Sequence, residues 1–229
     1  MTRRWTARLW LKALVFLLAL LGAGVLAQAW QVHKVEVVGV RRFDATAIGK
    51  ALEDALGKPP LLASASTLRE KLLAVPWVAD AQVVVGLDGS IRCLVQERTP
   101  AAILTDRQPW QLVDAQGKIL GPAGGELDLP QLSGFAPYPE ERARVLSILP
   151  TLAATWGQPV VSCQRLGARD VAVLFAHEPL TVVLDPQHPE TLVHGKQVLS
   201  AWNKANLGPV ARLDLRVAGK VFVQPVVSE

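Results

Sequence analysis

Cysteine and histidine are scarce in this chain of 229 residues, which contains two cysteines and four histidines. Two cysteines are too few for a disulfide-stabilised scaffold, and a structural zinc site needs three or four ligands close together. Around Cys93, the apolar residues Ile91 and Val95 alternate with polar ones, which is typical of the inward face of a β-strand. The sequence therefore predicts no redox role and no metal site, and a bridge from Cys93 to Cys163 is the less favoured alternative.

Motifs of catalysis are missing as well. No two histidines are four positions apart, and the chain has neither a Gly-x-Ser-x-Gly motif nor a glycine-rich phosphate loop. Residues 185–190 contain carboxylate and imidazole groups, but two prolines there indicate a solvated loop rather than a metal site. We therefore expect no enzyme activity, no cofactor and no small-molecule substrate.

Acidic residues are absent from the first 12 positions, which carry four positive charges, at Arg3, Arg4, Arg8 and Lys12. The formal net charge of the whole chain is also +4, so the remaining residues balance to zero. Nucleic-acid binding needs a basic face with interleaved aromatic side chains, and this distribution of charge does not supply one. The sequence therefore predicts no nucleic-acid partner.

An apolar segment is present directly after this basic start. As a helix, residues 9–30 would be about 33 Å long, enough to cross a hydrocarbon core of about 30 Å. Basic residues on its N-terminal side place that side in the cytoplasm. The pattern predicts a cytoplasmic tail over residues 1–8, a transmembrane helix over residues 9–30, and an exported main body held at the plasma (inner) membrane by a single span.

A cleavable signal peptide is the alternative for the same segment. The basic start, the apolar stretch over residues 13–26 and the sequence Ala-Gln-Ala at positions 27–29 meet the requirements of such a peptide, which is the less favoured interpretation. Both interpretations export the rest of the chain, so they differ only in whether the exported part stays anchored.

Residues 31–99 predict the order strand, helix, helix, strand, strand. A short strand ends at Gly39, Asp44 is placed to cap the first helix, and the spacing of Thr67 and Glu70 is that of a capping box for the second. Two alternating segments, 78–85 and 90–97, flank the turn at residues 86–89 and indicate a β-hairpin.

Residues 100–229 contain more strands than helices. Two amphipathic helices are predicted near residues 145–156, with a kink at Pro150, and over residues 192–206, which end before Gly208. Strands are predicted over residues 110–114, 118–120, 160–165, 171–175, 180–184, 211–217 and 220–227. The pattern favours a mostly antiparallel sheet with helices on one face, in a chain of the α+β class.

Six short motifs occur in the same order as in a known family. They are Val-Glu-Val-Val-Gly at 35–39, Pro-Trp-Val-Ala-Asp-Ala at 76–81, Glu-Arg-Thr-Pro-Ala-Ala at 97–102, Trp-Gln-Leu-Val-Asp at 110–114, Leu-Pro-Gln-Leu-Ser-Gly at 129–134 and Leu-Asp-Leu-Arg at 213–216. Together with the single anchor, the chain resembles the FtsQ/DivIB family of bacterial division proteins. The resemblance implies a POTRA domain over residues 31–99 and a β domain over residues 100–229, with residues 129–134 as a loop.

The resemblance also implies a function. Members of this family are non-enzymatic scaffolds of the divisome, are enriched at the division septum, and bind two small bitopic proteins, FtsB (DivIC in some lineages) and FtsL. Through these partners they help couple divisome assembly to septal peptidoglycan synthesis. We expect the same of this chain.

By the same resemblance, partner contacts are assigned to the end of the β domain, at Arg216, Val217, Val221, Phe222 and Val223. The last strand is expected at a sheet edge, where a partner strand can pair with it, and the alternative is that both of its sides are buried. Arg216 is expected to pair with an acidic residue of the partner, and Val217 stands where relatives often carry an aromatic residue.

Two other functions are compatible with an exported main body, whether that body stays anchored or is released by cleavage. The first is a POTRA-type component of outer-membrane assembly or secretion, although such proteins need repeated POTRA copies or a C-terminal barrel. The second is a secreted enzyme released after Ala29. N-terminal sequencing of the mature protein would distinguish the latter from an anchored chain.

Overall fold

The computed structural model describes residues 12–19, 21, 22, 24, 30–42, 46–125 and 128–226. The chain divides into two compact units, the first ending at Glu97 and the second beginning at Arg98. Each unit has a hydrophobic core of its own.

After the N-terminal segment, the described residues 30–42 and 46–97 of unit 1 contain three strands and two α-helices. They are β1 (Lys34–Val38), α1 (Thr46–Leu52), α2 (Ala65–Ala74), β2 (Val78–Val85) and β3 (Ser90–Glu97), with two short 3₁₀ turns at Glu53–Ala55 and Pro60–Leu62 between the helices. The predicted order of strand, helix, helix, strand, strand is therefore confirmed.

The sheet of unit 1 has the order β1-β3-β2, so the last strand lies between the other two. β1 pairs with β3 in parallel, and β2 pairs with β3 in antiparallel orientation. Both helices contribute to one buried cluster with this sheet, in which Ile48, Leu72 and Ile91 are fully buried. Because the alternation predicted for Cys93 holds, its side chain also lies in this core.

The predicted cap of α2 is wrong. The helix begins two residues earlier than Thr67, and the hydroxyl of Ser64 caps it by accepting a hydrogen bond of 3.3 Å from the backbone N–H of Thr67. A serine with extended backbone before the first turn satisfies one of the free N–H groups there, and it does so without Glu70. The predicted cap of α1, Asp44, lies outside the described residues.

Gly39 ends β1 in a conformation that only glycine adopts easily. Its φ is 102°, and an added Cβ would lie well inside contact distance of the backbone oxygen of Val95. We predict that Gly39→Ala lowers the free energy of unfolding by about 2–4 kcal/mol, because backbone strain and a clash with an immobile carbonyl act together. Gly49→Ala is the matched control, since Gly49 lies in α1 with open space around it. The control should stabilise the chain by about 0.5–1 kcal/mol in urea denaturation. Equal effects of the two substitutions would contradict this account.

Unit 2 contains nine strands and two α-helices among its described residues. They are β4 (Pro100–Leu104), β5 (Gln111–Asp114), β6 (Ile119–Pro122), β7 (Gln131–Ser133), α3 (Pro139–Trp156), β8 (Val160–Arg165), β9 (Val171–Phe175), β10 (Thr181–Leu184), α4 (Thr191–Lys204), β11 (Val210–Asp214) and β12 (Phe222–Pro225).

All nine strands form one sheet with the order β12-β11-β10-β9-β8-β7-β4-β5-β6. Neighbouring strands are antiparallel except for β10 with β11, β7 with β8 and β4 with β7. Helices α3 and α4 contact each other and supply side chains to the same core. The predicted mixture of a large, mostly antiparallel sheet with helices on one face is therefore confirmed.

Two strands of this sheet were not predicted. β4 lies directly after the unit boundary, and β7 lies inside residues 129–134, for which a loop was expected. β7 is central to the sheet, since it pairs in parallel with β4 on one side and with β8 on the other. The expectation of a loop over residues 129–134 is therefore wrong. Strand pairing on both sides holds this segment extended, and it buries the side chain of Leu132 completely in the core.

Helix α3 continues through Pro150 without a break in its assigned span, Pro139–Trp156. It ends at Gly157, which has a φ of 82° and supplies the left-handed C-terminal residue that such helix ends favour. The N–H of Gly157 donates to the carbonyl of Ala153 at 2.8 Å, so this end of the helix is closed.

The N-terminal segment is described only in part. Residues 12–19, 21, 22 and 24 are helical, and the large apolar side chains described there are exposed. No helix among the described residues is both long enough and apolar enough to cross a membrane. The predicted tail over residues 1–8, much of the predicted span over 9–30, and the Ala-Gln-Ala sequence lie outside the described residues.

Candidate functional site

Strand β12 forms one edge of the nine-stranded sheet. It pairs with β11 in antiparallel orientation, with Leu213 opposite Val223 and Asp214 opposite Phe222. No strand of the described chain pairs with its other side. The last strand therefore presents a row of backbone groups to the outside, as an edge strand does.

The direction of these backbone groups follows from one bond near the end of the strand. The N–H of Val226 donates to the carbonyl of Pro209 at 2.9 Å, across the pair. The direction of the backbone N–H and C=O groups alternates from one residue of a strand to the next. Phe222 and Gln224 therefore direct these groups toward β11, as Val226 does, and Val223 directs its N–H and C=O outward. Pro225 has no N–H, so it limits how far another strand can pair.

The side chains of this strand divide between the two faces of the sheet as predicted. Val221 and Val223 are partly buried and pack against the core of unit 2. Phe222 lies on the other face with 54% of its surface exposed, and Gln224 is exposed beside it. A large exposed aromatic ring at a sheet edge is the kind of side chain that anchors protein interfaces.

Arg216 lies at the start of the turn between β11 and β12 and contacts two carboxylates of its own chain. Its Nη2 donates to Asp214 at 2.6 Å, its Nε to the same carboxylate at 2.9 Å, and its Nη1 to Asp170 at 3.1 Å. The carboxylate of Asp170 precedes β9, so this contact connects the last turn to another loop of the unit.

The charges in this cluster alter the proton affinities of both groups. The hydrogen bonds from Arg216 hold the pKa of Asp214 below its ordinary value of 3.8, against the opposing effect of burial. The same contacts, with Asp214 first and Asp170 second, raise the pKa of Arg216 above its ordinary value. Arg216 therefore stays charged, and the turn that precedes β12 has a fixed ionic link.

The sequence did not predict these intramolecular contacts. Arg216 was expected to face an acidic residue of a partner, and nothing indicated Asp170, which lies 46 positions earlier. Asp214 could have been suspected, because an acid two positions before an arginine at a strand end can reach it. The pairing with Asp170 depends on how β9, β10 and β11 lie side by side.

A groove lies between α4 and the last hairpin. It has a volume of about 330 Å³ and is lined by Thr191, His194 and Val198 on the helix and by Leu215, Val217 and Val221 on the hairpin side. Val217 is one of the five predicted contact residues and has an exposed side chain. Of the five predicted residues, Val217 and Val221 line this groove, whereas Phe222 and Val223 lie on β12 and Arg216 lies in the turn before it.

The pKa of Asp214 has a consequence for stability at low pH. A carboxyl with a depressed pKa in the folded state contributes stability that is present above the unfolded value, about 3.8, and is lost as the pH falls through the lower folded value. We predict that Asp214→Asn is less stable than wild type at neutral pH and that this difference shrinks as the pH is lowered from about 5 to about 2.

Urea denaturation of both proteins across this pH range measures the effect. Other carboxylates titrate in both variants and cancel in the difference between them. A difference in unfolding free energy that does not change with pH would contradict the role assigned to the Arg216 pair.

Chemically reactive groups are few in the described chain. No group of three or more His, Cys, Asp or Glu residues there is arranged to hold a metal ion. Cys93 and Cys163 are both free and buried, and burial raises the pKa of Cys163 to about 12. Both thiols therefore act as small apolar side chains.

Comparison with known proteins points to one family. The model of the family described as "POTRA domain, FtsQ-type" matches residues 31–98. A protein of Rhodothermus marinus named "Cell division protein FtsQ" is 28% identical over 148 residues, which cover 60% of this chain and 54% of that protein. A protein of the same name from Zymomonas mobilis is 28% identical over 138 residues, covering 56% of this chain and 44% of that protein. The chain spans about half the length of these curated relatives.

The chain is also similar to a solved structure. It is the major extracytoplasmic domain, in its trans isomer, of the cell division protein DivIB from Geobacillus stearothermophilus. It shares 21% sequence identity, with 48% of this chain and 97% of that chain covered, and superposes with a TM-score of 0.34.

Proposed function

Because this chain belongs to the FtsQ/DivIB family of bacterial division proteins, we propose that it is a non-enzymatic scaffold of the division machinery that binds other membrane-anchored division proteins. The relatives are named for cell division. The observation that carries the proposed binding is the outer side of β12, which has outward-directed backbone groups and an exposed Phe222. An extended segment of a partner would pair there as a further strand.

The proposed organisation follows the sequence. Residues 1–8 form a cytoplasmic tail, residues 9–30 a transmembrane helix, residues 31–99 the POTRA domain and residues 100–229 the β domain. The basic start and the apolar segment support this arrangement. The main body would then stand outside the cytoplasm at the plasma (inner) membrane, enriched at the division septum.

The proposed partners are small bitopic proteins of the FtsB (DivIC) and FtsL type. A strand of one partner extends the sheet at Val221 and Val223, and its side chains pack on Phe222. Val217 lines the neighbouring groove and offers a second apolar contact.

Arg216 is proposed to contact an acidic residue of the partner without leaving its own two carboxylates. A guanidinium has five N–H groups, and the contacts to Asp214 and Asp170 occupy three of them. The side chain is 40% exposed, so the remaining N–H groups can reach a carboxylate from outside. Binding of these partners would couple their assembly to septal peptidoglycan synthesis.

The test is the position of the chain in dividing cells of its host. A fluorescent fusion of the full chain is expected at midcell, and depletion of the chain is expected to give filaments that a wild-type copy returns to normal length. An even distribution around the cell together with normal division on depletion would refute the proposed function.

A further inference from the structure

One end of unit 1 is built around residues 30–33, where two separate loops are hydrogen bonded to the same short segment. The N–H of Val32 donates to the carbonyl of Lys58 at 2.9 Å, and the N–H of Gly57 returns a bond of 3.0 Å to the carbonyl of Val32. On the other side, the indole N–H of Trp30 donates to the carbonyl of Leu87 at 2.6 Å. The α1–α2 connection and the tip of the β2–β3 hairpin are therefore held at the same end of the unit.

Both loops carry large apolar side chains that point into solvent. The exposed fractions of Leu61, Leu62 and Leu87 lie between 69% and 73%, and Leu56 and Trp30 are exposed as well. We call these five residues the apolar end. Single exposed leucines are ordinary on a protein surface, but a group of four leucines and a tryptophan at one end of a small domain indicates an interaction surface.

The charges around the apolar end nearly balance. Lys34 and Lys58 are exposed near it, but Lys34 pairs with Glu36 at 2.5 Å, and Asp88 lies at the hairpin tip beside Leu87. The apolar end therefore has no excess charge that would attract a strongly charged partner. The chemistry favours an apolar or interfacial occupant, and leucine with tryptophan is the combination found where proteins enter the interface of a lipid bilayer.

The position of the apolar end in the chain selects the occupant. Trp30 is the last residue of the predicted membrane span, and Val32 is only two residues further on, at most about 7 Å of extended chain. This end of the unit must therefore stay close to the membrane if the chain is anchored, whereas the far end of α2 lies about 15 Å away along the helix. Because a short tether strongly raises the effective concentration of lipid at the apolar end, even modest apolar contacts can keep this end bound to the bilayer.

We propose that the apolar end of unit 1 inserts its leucines and Trp30 into the interfacial layer of the bilayer, so that the unit docks on the membrane instead of moving freely on a flexible tether. This inference rests on the proposed anchoring. Docking would hold the POTRA domain in one orientation and fix the height at which the rest of the chain begins.

The test uses the full chain in phosphatidylcholine proteoliposomes. An environment-sensitive fluorophore is attached to single introduced cysteines in the variants Leu61→Cys and Leu87→Cys, with Ala74→Cys at the opposite end of α2 as the matched control and Leu17→Cys within the predicted span as the anchor control. The natural cysteines are buried and do not compete for label. Quenching by doxyl-labelled lipid and by aqueous iodide is measured at each position.

Docking predicts that lipid quenches the labels at 61 and 87 and leaves the label at 74 accessible to iodide. In a second set, Leu62→Ser and Leu56→Ser are added to the Leu87→Cys variant, and the ratio of docked to undocked chain should fall roughly tenfold as apolar contact is lost. Quenching of the label at 17 alone would overturn docking and leave the anchor intact. No lipid quenching at 17 would refute the anchor itself. Shielding of 61 and 87 from iodide without lipid quenching would mean that a second copy of the chain covers them, which also overturns the proposal.

Discussion

Replacing Val223 by proline is expected to lower the affinity of the chain for the proposed bitopic partner by on the order of a hundredfold or more. The N–H of Val223 is directed away from β11, so the substitution removes a donor that a partner strand would use while leaving the pairing with β11 intact. The ring of proline also occupies the space of the incoming backbone. Both effects act on the pairing with the partner, and the loss of the partly buried valine side chain from the core is measured separately with an alanine variant.

Two further variants make this prediction specific. Val223→Ala keeps the N–H and removes only part of a side chain that is half buried, so it should bind within a few-fold of wild type. Phe222→Asp keeps the whole backbone but places a charge where an exposed aromatic ring would meet the partner, and it should abolish binding by another route. Binding is measured by co-purification of the full chain with the partner from membranes.

The fold of each variant is checked separately by thermal unfolding. Undiminished co-purification of Val223→Pro would mean that the partner does not pair along β12. Loss of binding in Val223→Ala as well would show that the side chain of Val223 decides the affinity, and this would refute strand pairing as its source.

Removing the guanidinium of Arg142 is expected to lower the free energy of unfolding by about 3–5 kcal/mol, because several carbonyls lose their hydrogen-bond donor. Arg142 is buried on α3, and it donates to the carbonyls of Gly117 at 2.8 Å, Phe135 at 3.0 Å and Ala136 at 3.2 Å. Burial lowers its pKa, and the carboxylates of Asp106 and Asp114 oppose that shift. One side chain thus satisfies carbonyls from two loops.

Arg142→Met is the variant of choice, because methionine retains much of the apolar volume and removes the hydrogen bonds. Two buried carbonyls and one partly buried carbonyl then lose their donor, and each unsatisfied buried group costs free energy. Arg144→Met is the matched control on the same helix, where the side chain is exposed, and it should change stability by less than about 0.5 kcal/mol.

Tryptophan fluorescence during urea denaturation reports this loss directly. Trp156 lies at the end of the same helix and stacks on Phe175 with 4.8 Å between ring centroids. A loss below about 1 kcal/mol in Arg142→Met would show that water or a shifted backbone replaces the guanidinium, and that Arg142 does not hold the two loops.

Alternation and turn residues predicted most of the strands correctly, because most have one buried face. In β3, for example, Ile91, Cys93 and Val95 are buried while their neighbours are not, and the period of two is visible in the sequence. The helices were found for the same reason, since Leu68 and Leu72 lie on one face of α2. Their ends were placed less well, as the cap at Ser64 shows.

The two missed strands have no such period. The last three residues of β4, at positions 102–104, are all buried, because other strands flank it on both sides and core covers it. β7 has only three residues between Pro130 and Gly134, which is too short for a pattern, and the proline and glycine beside it are typical of a loop. Both strands owe their conformation to long-range pairing.

The candidate site was predictable in position and not in detail. A final strand joined to its neighbour by a turn at Gly219 was expected at an edge, and its two faces followed from Val221 and Phe222. The partners of Arg216 within the chain were not expected, since Asp170 reaches it only through the order of three intervening strands. The local sequence pattern was therefore enough to predict β12, whereas the contact between Arg216 and Asp170 depends on the order of the strands in the sheet.

The central position of β7 has a consequence for how unit 2 folds. Its pairings with β4 and β8, and the parallel pairing of β10 with β11, each join residues about 30 positions apart, so each must close a long loop before it gains contacts. Unit 1 closes its β2–β3 hairpin locally, but its parallel pairing of β1 with β3 joins Lys34 to Ser90 and needs a long closure as well. The strand that we propose for partner binding is added to β11, and β11 is in place only after it has paired with β10 across such a loop. A newly made chain would therefore become competent to bind at β12 only after unit 2 has closed these long loops.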